Sequence, residues 1–137
     1  MQKVLITGGA GYLGSVLTEV LLSEGYFVTV LDSLVYKQMS LTTFCYNPNF
    51  EFVLGDVRDY NLLAKLVQSH DIVIPLAAIV GMPACKKDTQ LTVDVNFHQI
   101  KNIVEFLQPS QKLLVPNTNS QYGSSETIIT EKSPFNP

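Results

Sequence analysis

The stretch Thr7-Gly8-Gly9-Ala10-Gly11-Tyr12-Leu13-Gly14 carries the densest chemical signal in the chain. Gly9, Gly11 and Gly14 form G-x-G-x-x-G, and Gly8, Gly11 and Gly14 form G-x-x-G-x-x-G. A short β-branched run, Lys3 to Thr7, precedes the glycines, and an apolar run at helical spacing begins at Tyr12. This context carries more weight than the pattern, which alone is a weak signal. Glycines here permit a tight turn and close approach of backbone to a pyrophosphate. The N–H groups of Tyr12 and Leu13, opening the helix, would meet the phosphates at the positive end of the helix dipole. The plain alternative is a glycine-rich turn that binds nothing.

Asp32 adds to the first reading. It stands 18 residues after Gly14, at the end of a second apolar run. A carboxylate there can accept from both hydroxyls of an adenosine ribose and would repel a 2′-phosphate. Ser33 beside it belongs to the same candidate site. No Arg lies nearby, so NAD is favoured over NADP, with Lys37 as the nearest cation in the adjoining loop. The plain alternative for Asp32 is a turn cap.

The elements that would position these residues alternate along the chain. Strands are expected at Lys3 to Thr7, Tyr26 to Leu31, Glu51 to Leu54, Asp71 to Leu76 and Lys112 to Val115. Pro75 is awkward inside a central strand and belongs near its end. A helix is expected from Tyr12 to Ser23, with Leu13, Val16, Leu17, Val20 and Leu21 inward and Gly25 as its stop signal. A second runs from an Asp59 cap to about Gln68, with Leu62, Leu63, Leu66 and Val67 inward. A third reads as one long helix from Lys87 to Leu107, with Leu91, Val95, Ile100, Ile103, Val104 and Leu107 inward. The segment from Ser33 to Asn49 is irregular or briefly helical. Alternation of this kind implies right-handed crossovers and a parallel sheet covered on both faces. The fold expected is α/β, a Rossmann-type doubly wound parallel sheet in one domain over residues 1–137.

Composition narrows the function classes. The 137 residues are 46% apolar and 15% charged, which excludes a disordered chain. The net charge of −3 and a single Arg, Arg58, leave no basic face for nucleic acid. Cys45 and Cys85 make no disulfide framework, and with His70 and His98 they make no metal site. A reducing, cytoplasmic setting fits them, and Cys45 reads as a packed small apolar residue. No apolar run reaches the ~20 residues of a membrane span, and no secretory leader is expected at the N-terminus. His98, alone on its helix, reads as a surface or satisfied residue.

Together these motifs resemble the N-terminal part of an extended short-chain dehydrogenase/reductase, the NAD-dependent nucleotide-sugar epimerase/dehydratase family. The resemblance runs along the whole chain. Gly55-Asp56-Val57-Arg58-Asp59 is similar to the family's loop after the third strand, which implies that Asp56, with the Val57 backbone, meets the adenine. Leu76-Ala77-Ala78 is similar to the segment lining the nicotinamide, with Pro75 where the family has His. Asn96 matches the family's helix Asn, which orders the active-site backbone. Pro116 to Gly123 is similar to the family's Ser/Thr-rich stretch ending in Tyr-Gly, which places Thr118 at the catalytic Ser/Thr position.

The resemblance also implies a base, a Tyr with a Lys four residues on. None of Tyr12, Tyr26, Tyr36, Tyr46, Tyr60 or Tyr122 has one, and Tyr122 has Glu126 at that spacing. Thr130-Glu-Lys-Ser-Pro-Phe-Asn-Pro137 is similar to the loop that precedes the family's Tyr-x-x-x-Lys. The chain therefore reads as the front part of a longer protein, without its substrate-binding C-terminal part and inactive alone. The family's 4,6-dehydratases carry Asp-Glu after the Thr. Asn119-Ser120 stand here, which favours an epimerase, dehydrogenase or reductase. The loop Ile79 to Lys87 is a candidate substrate wall through Val80, Gly81 and Cys85, with a packed crossover loop as the plain alternative. With Pro116 to Ser120, it is similar to relatives acting on a GDP-linked heptose for surface polysaccharides. A UDP-sugar is the broader expectation, and relatives imply a homodimer in the full-length protein. The competing reading is a non-catalytic NAD-binding sensor or interaction module of the same fold.

Overall fold

A computed structural model describes residues 1–124 and 128–136. Glu126 and Pro137 lie outside the described residues. Five strands form one sheet: β1 (Lys3–Thr7), β2 (Phe27–Asp32), β3 (Phe50–Leu54), β4 (Ile72–Pro75) and β5 (Lys112–Leu113). Their order is β3-β2-β1-β4-β5, and every pair is parallel. The chain steps outward from β1 to β3, then returns to the other side of β1 for β4. The resulting switch point lies between β1 and β4, where doubly wound sheets open a crevice beyond their carboxyl ends.

Both faces of the sheet are covered, which is why the strands are apolar throughout. Val4, Ile6, Val28 and Val30 face α1 (Tyr12–Ser23) and pack with Leu22 and Leu41. Leu5, Leu31 and Val73 face the other way. They pack with Leu63, Leu66 and Val67 of α2 (Tyr60–Gln68), and with Val95, Ile103 and Phe106 farther on. Asp59 caps α2, its carboxylate accepting from Leu62 N–H at 3.0 Å. The segment after β2 holds only a short 3-10 turn, Thr42–Phe44.

Pro75 is the last residue of β4. Backbone groups alternate sides along a strand. Leu76 N–H bonds Thr7 on β1, so the missing N–H of Pro75 faces β5. There β5 has already ended, since its pairing stops at Val73 and Leu113. The ladder to β5 thus stops where the proline has no N–H to give.

Three expectations need correction. The helix expected from Lys87 to Leu107 is broken. A short α3 (Met82–Lys87) precedes Asp88, whose extended backbone and side chain cap α4 (Thr89–Val93). A π turn, Asp94–His98, then leads into α5 (Gln99–Phe106). The wider turn takes up an extra residue and rotates α5 about its axis. Gln99 and Phe106 face the core, and Val104 is 56% exposed. On α1 the buried residues are Gly14, Thr18 and Leu22, and Leu17 and Leu21 pack against the core as expected, while Leu13, Val16 and Val20 stand more than half exposed. Cys45 is exposed, not packed.

Candidate functional site

The glycine turn is built by steric need. Gly8 has φ +69°, and a Cβ there would lie 2.5 Å from the Ala77 backbone. A Cβ on Gly14 would lie 2.5 Å from Gly9 Cα, so α1 can seat against the turn only without one. Gly11 differs. Its Cβ would meet only Gly8 O, at 3.2 Å, so the space beyond it is open. Gly11 is also the N-cap of α1 and has no side chain to cap it. The first-turn N–H groups, those of Tyr12 and Leu13 among them, have no acceptor within the helix. By contrast α2 and α4 are each capped by an aspartate.

Asp32 closes β2 beside this turn. Its Oδ2 accepts from Ala10 N–H at 3.0 Å and its Oδ1 from Leu34 N–H at 2.8 Å. The second bond is the turn-capping role open to it in sequence, and each oxygen keeps lone pairs for a further donor. Ser40 Oγ donates to Ala10 O at 2.7 Å, so the Ala10 peptide is held on both sides.

An open cleft of about 330 Å³ runs along the carboxyl ends of the strands. Gly8, Gly11, Asp32 and Ser33 line one part, with Asp56, Val57 and Arg58 beside them. Leu76, Ala77, Ala78 and Val80 line the other end. Tyr36 and Gln38 contribute from the loop after β2, and Lys37 is not among the lining residues. Tyr12, Leu13 and Gly14 are not among the lining residues and form the first turn of α1.

Arg58 is a partner that the sequence motif alone does not single out. Its Nε and Nη2 donate to the two oxygens of Asp56, at 3.0 and 2.6 Å. The guanidinium holds the Asp56 carboxyl below the usual carboxylate range, outweighing its partial burial. This is a half-exposed pair, so its net worth is small.

The remaining candidates lie off the cleft. Asn96 Nδ2 donates to Ile79 O, and Asn96 Oδ1 accepts from Ile79 N–H, both at 2.8 Å. It thus acts on the cleft wall through backbone. Val80 alone of the proposed substrate wall lines the cleft. Gly81 has φ +86° and opens α3, so the expected loop is helical from Met82. Cys85 Sγ points back at Ile79 O, 3.5 Å away. Thr118 is exposed. It caps a 3-10 turn, Asn119–Tyr122, with its Oγ1 2.8 Å from Ser120 Oγ. Gln99, buried behind Ala77, gives no signal in the sequence, because Thr7 and Ala77, two of its three partners, are distant in the chain. Among the described residues no three His, Cys, Asp or Glu side chains gather as metal ligands, and no helix is long and apolar enough to cross a membrane.

A doubly wound parallel sheet with a glycine turn opening a helix beside its switch point defines the Rossmann-type class of nucleotide-binding fold. The chain is a member of one family within that class. The model of the NAD dependent epimerase/dehydratase family matches residues 4–137, and the chain belongs to that family. It is 32% identical over 131 residues to a UDP-N-acetyl-alpha-D-glucosaminuronate decarboxylase of Bacillus cytotoxicus, covering 95% of this chain and 40% of that protein. It is 40% identical over 142 residues to a low-salt glycan biosynthesis protein of Haloferax volcanii, covering 99% and 46%. The fold superposes on the UDP-glucuronic acid 4-epimerase of Bacillus cereus, solved with UDP-glucuronic acid and NAD. That match has a TM-score of 0.87 at 29% identity, covering 98% of this chain and 46% of that one. The chain thus spans less than half the length of these relatives.

Proposed function

We propose that this chain is the NAD-binding part of a nucleotide-sugar epimerase or dehydrogenase that oxidises a sugar hydroxyl, at C4, by hydride transfer. The observation that carries the reading is one juxtaposition. An uncapped helix start with open space at Gly11 lies beside a strand-end carboxylate, Asp32, in a single cleft. That donor and acceptor set fits a dinucleotide. Gly8, Gly11, Gly14 and the N–H groups of Tyr12 and Leu13 would hold the pyrophosphate. Asp32 and Ser33 would hold the ribose, and Asp56 and Val57 the adenine. Leu76, Ala77 and Ala78 would wall the nicotinamide end, with Asn96 steadying that wall through Ile79. NAD, when bound, supplies the hydride-accepting chemistry.

Thr118 would hydrogen-bond the sugar hydroxyl and help pass its proton to a base. Val80, Gly81 and Cys85 would form the substrate side. The relatives whose names print UDP-sugars favour a UDP-sugar as substrate. A GDP-linked heptose is the narrower alternative. Asn119 and Ser120 offer no carboxylate for water elimination, which favours epimerase or dehydrogenase over dehydratase. A homodimer of the full-length protein would use the exposed apolar face of α4, the π turn and α5, where Val93, Phe97 and Val104 stand open. The second reading is a non-catalytic NAD-binding module of the same fold.

Calorimetric titration of the chain with NAD⁺ and NADP⁺ tests the proposal. NAD⁺ is expected to bind more tightly, and Asp32→Asn to erase most of that preference. No NAD⁺ binding, or tighter NADP⁺ binding, would overturn it.

A further inference from the structure

We propose that Gln99 is a positioning residue for the nicotinamide end of the cleft, holding the Ala77 backbone from behind; this inference rests on the cofactor reading above. Past Pro75 the chain leaves the sheet. Leu76 N–H still bonds Thr7 O, at 2.9 Å, but β5 pairs no farther than the level of Val73. The Ala77 backbone therefore needs other partners, since buried or half-buried peptide groups rarely go unpaired.

Gln99 supplies them. It is 1% exposed. Its Nε2 donates to Ala77 O and to Val95 O, each at 2.9 Å. Its Oε1 accepts from the Thr7 hydroxyl at 2.5 Å. Thr7 Oγ1 in turn lies 3.4 Å from Ala77 N. Two carbonyls on one side and a hydroxyl donor on the other fix which way the amide points. Both backbone groups of Ala77 thus end on the Thr7–Gln99 pair.

The Ala77 Cα and N lie where a Cβ on Gly8 would fall, so glycine at position 8 leaves room for the wall that Gln99 holds. Filling space does not call for an amide here, because Val95, Ile103 and the rest of this core layer are apolar. A glutamine buried among them needs its three partners, and what it holds in exchange is the cleft wall. Gln99 follows the π turn Asp94–His98 directly and stands four residues after Val95, on the same face of the helix.

The test compares NAD⁺ with ADP-ribose, which shares every feature of NAD⁺ except the nicotinamide. Both are titrated into the unmutated chain, Gln99→Met and Thr7→Val. Gln99→Met keeps the volume and loses the donors. Thr7→Val loses only the hydroxyl, and decides the matter if the first variant gives no cooperative melt. NAD⁺ affinity is expected to fall about tenfold, the scale of one lost hydrogen bond, while ADP-ribose affinity changes by less than about threefold. Equal losses for the two ligands, or no loss for either, would overturn the positioning role and leave the cofactor reading standing. If the unmutated chain binds neither ligand, the cofactor reading falls and the positioning role falls with it.

Discussion

His70 has the most crowded polar surroundings outside the cleft. Its Nδ1 lies 2.6 Å from Leu66 O, so that nitrogen carries the proton and donates. Its Nε2, 2.7 Å from Thr29 Oγ1, must then accept. The Thr29 hydroxyl also lies 3.1 Å from Glu51 Oε2, so one proton serves two acceptors. Burial pushes the His70 imidazole below its ordinary range against the bond to Leu66 O, which favours the charged form, with Lys3 adding to the effect and Glu51 and Asp71 opposing it. The folded chain therefore keeps His70 neutral where the unfolded chain, titrating near pH 6.5, takes up a proton. Stability is full above that pH and is lost as pH falls through it, at up to about 1.4 kcal/mol per pH unit. Urea melts between pH 7.5 and 5.5 should show this decline, and His70→Gln should flatten it. A decline of the same slope in the variant would place the effect elsewhere. Residues of this kind are hidden in the sequence. The Thr29 partner of His70 is 41 residues away, and the Thr7 partner of Gln99 is 92. Gly8, Gly11 and Asp32 are legible because glycines before a helix and a carboxylate at a strand end have few other uses.

Elements set by local rules match closely. The bounds of β1 and α1 agree with their apolar runs, and Asp59 caps α2 as its position before Leu62 and Leu63 suggests. Asp59→Ala should therefore lower stability by about 1 kcal/mol, the usual worth of an N-cap, with the fold unchanged by circular dichroism. A loss below about 0.3 kcal/mol would mean that water replaces the carboxylate without penalty. The stretch after β4 is less legible. Its apolar residues fit one uninterrupted period, and a period cannot announce an inserted residue. Asp88 could have signalled the break, since aspartates favour caps over helix interiors. The inward face of α1 misleads for another reason. Two stripes compete there, and the sheet takes the one with Gly14 and Thr18, whose small side chains allow close approach.

At the scale of the whole molecule, the unclaimed stripe of α1 becomes a surface. Leu13, Val16 and Val20 lie at helical spacing, each more than half exposed, while Leu114 and Val115 stand about half exposed just past β5 at the sheet edge. Exposed apolar rows and open edges favour association. The chain should self-associate at high concentration, and Val16→Lys with Val20→Glu should lower its weight-average mass in sedimentation. NAD⁺ affinity should not change, because neither position lines the cleft. An unchanged mass would put the association surface elsewhere. One small feature governs how the cleft behaves as a unit. The Ala10 peptide is gripped by Asp32 on one side and Ser40 on the other, so the glycine turn and the Asp32 carboxylate share a single rigid link. Ligand halves that pull on the two ends of that link are not independent tenants. Their separate binding free energies will not sum to that of the joined molecule, because the first half to arrive sets the link for the second.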